Sequence, residues 1–176
     1  MKKSAVMLFL LSAAAGAQEL EFPAGYREWI YLSSGMDMTY NPTLSMPGHH
    51  MFDNVFAEPW AYQEFKKTGT WPDKTRLVLE VRGAETKGSI NKAGMFQNGA
   101  PMGVEVHMKN SALPGGWGFY TFGGDARPAP ASLIPQDAEC YACHKKDGAV
   151  DTTMVQFYPT LLPIAQAKLT LKRPGG

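Results

Sequence analysis

The chain has 176 residues, 44% of them hydrophobic, with 17 basic side chains against 16 acidic ones and two cysteines. That length suits one domain with room for a real core, and the near-neutral charge gives no electrostatic reason to expect nucleic acid or an anionic membrane as a partner. Past the N-terminus no apolar run approaches the roughly 20 residues a membrane span needs, and Gly and Pro recur too often for a four-helix bundle.

Lys2 and Lys3 precede an apolar run from Ala5 to Leu11 and the small-residue sequence Ala15-Gly16-Ala17. This pattern reads residues 1–17 as a cleavable secretory signal rather than a membrane helix, which predicts a periplasmic protein whose residues 18–176 form one domain. Without Lys2 and Lys3, 15 basic residues remain against 16 acidic ones. A helix is expected near the new N-terminus. Met51 to Phe56 is a weak strand candidate. Pro59 fits the first turn of a helix through Trp60–Lys67, with Gly69 as its stop.

Thr75–Arg82 alternates as a strand, with Leu77, Leu79 and Val81 on one face and Val78 among the polar Arg76, Glu80 and Arg82 on the other. Met102–Met108 alternates too, placing Glu105 and His107 opposite Val104 and Val106. Trp117–Phe122 is an aromatic strand. Gly123–Pro135, with Pro128, Pro130 and Pro135, reads as an extended connector. Further helices are expected around Cys140–His144 and after Pro159, and the tail Arg173–Gly176 as disordered. The class is α+β, predominantly antiparallel sheet flanked by helices.

Cys140-Tyr141-Ala142-Cys143-His144 holds both cysteines of the chain. Two thiols at this spacing, followed directly by histidine, form the attachment site of a c-type haem, with His144 as axial ligand of the iron. No second cysteine pair completes a structural zinc site. The alternative is an exported disulfide loop beside a chance histidine.

The opposite axial position is open to several readings. Ten methionines and four histidines are present. Met36, Met38, Met46, Met51, Met95 and Met102 lie in or beside Gly/Pro-rich segments, where gap-filling is their ordinary role. Adjacent residues of an extended chain face opposite ways, so at most one of His49 and His50 reaches a metal. His107 suits a hydrogen-bonded structural histidine.

Five segments in order, Gly25-Tyr26-Arg27-Glu28-Trp29, Phe65-Lys66-Lys67-Thr68-Gly69, Gly116 to Phe122, Cys140 to Lys145 and Phe157-Tyr158-Pro159, together resemble the cytochrome P-460 family, which includes the cytochromes c′-beta. The resemblance implies a mainly antiparallel sheet, a haem c bound near the C-terminus with an open distal side, and a homodimer. Enzymatic members carry a strand lysine cross-linked to the porphyrin and oxidise hydroxylamine. Here Leu79 falls at that position, as expected of the c′-beta branch, which binds nitric oxide and carbon monoxide. Glu105 matches a carboxylate that relays protons in the enzymatic branch, though a solvent-facing strand carboxylate is an equal reading. Asp53 falls where some enzymatic members have an arginine.

The expected site therefore comprises Cys140, Cys143 and His144, with Leu79, Phe52, Phe56 and Phe96 over the distal side. Phe52 and Phe56 would share one strand face, and each phenylalanine is equally readable as core. A gas binder is the preferred function. A hydroxylamine or nitric oxide oxidoreductase using Glu105, or an electron carrier with a Met or His sixth ligand and a cytochrome redox partner, are the alternatives.

Overall fold

The computed structural model describes residues 19–39, 48–124 and 129–172; the signal segment, Met46, part of the connector and the tail lie outside these. The described chain enters through a short strand β1 (Glu19–Leu20) and a single 3-10 turn over Tyr26–Glu28, where a helix was expected. It then forms β2 (Ile30–Met36), a strand the sequence pattern did not reveal. Ser33, Ser34 and Gly35 blur its alternation, and its register against the next strand shifts between Tyr31 and Ser33.

β3 (Met51–Ala57) leads into helix α1 (Pro59–Thr68), which ends at Gly69 with φ 78°. β4 (Arg76–Glu85), β5 (Phe96–Lys109) and β6 (Trp117–Gly123) follow. The five long strands pair in the order β2-β3-β4-β5-β6, antiparallel throughout. β7 (Ala131–Ser132) returns to pair with β1. Helix α2 (Glu139–Asp147) carries the cysteines, and α3 (Leu162–Ala167) follows Pro159 as expected.

Both faces of this sheet are covered. On one, Leu77 and Trp117 join Phe65 and Trp71, which α1 and its following turn supply, and Val150, Val155 and Leu161 from the C-terminal segment. On the other, Val78, Val104, Val106, Tyr120 and Phe122 pack with Tyr26 and Ala131. The face of β4 that reads as polar is therefore buried, with Val78 at 0% and Glu80 at 2% exposure. The N-terminal turn lies over it. Glu80 tolerates burial because its carboxylate accepts from the Tyr26 hydroxyl, from Arg82 and from Arg27 Nε at 2.6 Å.

Candidate haem site

In α2 the offsets of three and four residues place Cys140, Cys143 and His144 on one face of the helix. The helix stops at Gly148, whose amide donates to the His144 carbonyl at 2.9 Å. The backbones approach so closely there that a Cβ on Gly148 would lie 2.6 Å from that carbonyl oxygen. The chain then reverses through Asp151, at φ 53°, and a bridge between Val150 and Thr153. This reversal carries the Thr152 carbonyl to 2.7 Å from His144 Nδ1.

A carbonyl only accepts, so Nδ1 carries the proton and Nε2 keeps its lone pair. This is the second-sphere arrangement that orients a metal-binding imidazole. The ring is wedged edge-on against Phe119 and His107, with centroids 4.7 and 4.9 Å away. Burial lowers the pKa of His144 against the opposing effect of the Thr152 bond, and lowers that of His107 further. His107 stacks on Phe119 at 4.1 Å and 8° and lies 3.3 Å from the Thr152 hydroxyl, so it buttresses His144 from the sheet.

Between the sheet and the C-terminal segment lies a cavity of about 260 Å³, widening to about 1030 Å³ of free space with its open mouth included. Leu77, Leu79, Glu105 and His107 line it from the sheet, and His144, Met154 and Tyr158 from the other side. Both cysteines are free thiols, raised above their ordinary pKa first by burial. Cys143 packs on the cluster holding Met154 and Tyr158, two residues that line the cavity, and Cys140 lies within electrostatic reach of Glu105. A cavity open to solvent on one side, an imidazole nitrogen with its lone pair available and two thiols about one helical turn apart suit a haem.

A family model for cytochrome P460 matches residues 23–155, from before β2 through α2 to the turn bearing Thr152. The chain belongs to the cytochrome P460 family. It is accordingly a haem-binding cytochrome. A comparison with curated proteins finds no significant match. No described helix is long and apolar enough to cross a membrane.

The cytochrome P460 fold brings some expected residues together and separates others. Leu79 lines the cavity, paired with Val55 of β3 on one side and Glu105 of β5 on the other. Glu105 lines the cavity at its open side and keeps part of its side chain in solvent. Burial raises its carboxyl pKa, and the Asp53 carboxylate adds to the rise. Asp53 also faces the cavity and is raised by burial and by Asp37.

Phe52 and Phe56 do share a face, but it is the reverse one: they alternate with Asp53 and Val55, which line the cavity. The Phe56 ring packs on Tyr26 and Tyr31 at 5.7 and 6.0 Å. Phe96 lies at the far end of β5, paired with Glu85, with its ring against Gly88. None of these three phenylalanines lines the cavity; Phe119 and Phe157 do. Of the methionines, Met38 and Met154 reach it. His50 instead lies 2.6 Å from Asp37, hydrogen-bonded to its carboxylate at the surface. The parity of Phe119 with Trp117 was a usable signal for the first. Thr152 had none, because its role rests on a backbone carbonyl.

Proposed function

We propose that this protein is an exported mono-haem c-type cytochrome of the c′-beta kind that binds nitric oxide and carbon monoxide. In this reading the Cys140 and Cys143 thiols each add across a porphyrin vinyl group to give thioethers. Nε2 of His144 binds the iron from one side, held in place by Thr152, His107 and Phe119. A haem seated there would supply an iron able to bind a small ligand.

One observation carries the reading. Leu79 occupies the cavity face of β4, and among the described residues lining the cavity there is no lysine. An apolar leucine forms no bond to the ring and donates no hydrogen bond. Dioxygen is retained where a donor supports the charge it draws, whereas nitric oxide and carbon monoxide need none. Glu105 and Asp53, when ionised, only accept hydrogen bonds. They disfavour dioxygen for the same reason.

A second reading has its own observation. Glu105 lies beside Leu79 with a raised pKa and could hold and release a proton at its carboxyl oxygens, which is what a hydroxylamine or nitric oxide oxidoreductase would require. The visible spectrum of the reduced protein separates the readings. A broad high-spin spectrum, with stoichiometric binding of carbon monoxide and nitric oxide, is expected. A Soret band shifted far to the red would point to the enzymatic branch, and sharp α and β bands to a carrier in which a methionine such as Met38 closes the site. Stable dioxygen binding would overturn the proposal. Export rests on the pattern of residues 1–17, and a homodimer on the family resemblance.

A further inference from the structure

We propose that Asp53 and Glu105 make the cavity select neutral ligands over anionic ones, so that it admits nitric oxide and carbon monoxide and turns away anions such as azide and nitrite. The inference rests on the gas-binding reading of the same cavity. It begins from strand parity. Asp53 of β3 pairs with Val81, and Glu105 of β5 pairs with Leu79, so the two carboxyls flank β4 from either side on the face opposite His144.

The second observation concerns the missing counter-charge. Among the described residues lining the cavity none is lysine or arginine. The arginines of β4 alternate to the reverse face, where Arg76 is held by Glu58, and Arg82 with Arg27 by Glu80. Lys109, at the end of β5, is taken by Asp151 and the Trp71 carbonyl at 2.8 and 2.7 Å. Two carboxyls therefore line the cavity with no lysine or arginine beside them among the described residues. An anion approaching the iron through the open side meets negative charge that salt screens only in part. A neutral diatomic molecule meets almost none.

The test uses the haem-loaded protein and follows two ligands by spectrophotometric titration at pH 7: azide on the ferric form and carbon monoxide on the ferrous form. Azide affinity is expected to rise about tenfold in Asp53→Asn and in Glu105→Gln, and further in the double variant. Carbon monoxide affinity should change by a much smaller factor. In the wild type, azide affinity should also rise with ionic strength, a readout that needs no variant. Azide affinity unmoved by both substitutions and by salt overturns the proposal, as does equal movement of azide and carbon monoxide. A wild type that binds neither carbon monoxide nor nitric oxide overturns the gas-binding reading alone, since the azide comparison is made on the ferric protein.

Discussion

Glu80 shows how far a side chain's neighbours can reverse its sequence-level reading. In an alternating strand, a glutamate between arginines belongs on a wet face. Here it is 2% exposed. Burial pushes its pKa up, but hydrogen bonds from Arg82, Tyr26 and Arg27 outweigh that and bring it from 4.5 down to about 2. A depressed folded-state pKa means stability that is complete above pH 4.5 and is lost as pH falls toward 2. The difference corresponds to about 3 kcal/mol. We expect Glu80→Gln to lower stability at neutral pH by about 2–3 kcal/mol and to flatten the acid limb of the stability curve, read by denaturant unfolding from pH 7 to pH 2. An unchanged acid limb would assign it to other carboxylates. His144 is the contrasting case. Its identity was legible from the adjacent Cys143, but the Thr152 carbonyl that selects its tautomer was not.

At the scale of elements, α1 was the most readable part of the chain. Pro59 suits a first turn, and Gly69 takes the left-handed conformation that ends the helix. The structure adds a reason for glycine that spacing did not contain. A Cβ at Gly69 would lie 2.7 Å from Lys168 Cβ, and the Thr170 hydroxyl donates to the Gly69 carbonyl at 2.7 Å. The C-terminal segment is thus clasped to the end of α1. Gly69→Ala should destabilise by at least about 1–2 kcal/mol from the backbone conformation alone, measured as a lower denaturant midpoint. A neutral outcome would mean that the segment moves aside freely. β2 is the opposite case: an edge strand with Ser33, Ser34 and Gly35, whose pairing with β3 rather than its composition makes it a strand.

At the scale of the whole molecule, the described chain is a five-stranded sheet with two unequal coverings, beside the short β1–β7 pair. The reverse face closes on itself through Tyr26, Val104, Val106 and Tyr120. The other face is filled at one end by Phe65, Trp71 and Leu161 and left open as the cavity beside His144. The ladders and the reverse core should therefore persist without haem, while α2 and the turn at Val150–Thr153 depend on what fills the cavity. A Cys140→Ala/Cys143→Ala protein prepared without haem should keep its far-ultraviolet circular dichroism. Its amides in α2 and in residues 150–158 should exchange faster than in the haem-loaded protein. Equal protection in that region would mean that the proximal wall is fully formed by the polypeptide alone.

The amino-acid sequence by itself determined the cofactor motif, most of the periodic strands and helices, and the grouping of Leu79 with Leu77 and of Glu105 with His107, because these depend on residues close together in the chain. It could not say which parity of β3 would meet the haem-binding face. Phe52 and Phe56 are as apolar as any distal cap, and a strand flanked by two cores buries both of its sides. Only the tertiary structure decided that Asp53 and Val55 face His144. The physical reason is that the N-terminal turn brings Tyr26, and β2 brings Tyr31, to Phe56, while α2 and its reversal come down on the other side. The same decision leaves His144 across the cavity from the carboxyls of Asp53 and Glu105, an arrangement that no local pattern contains.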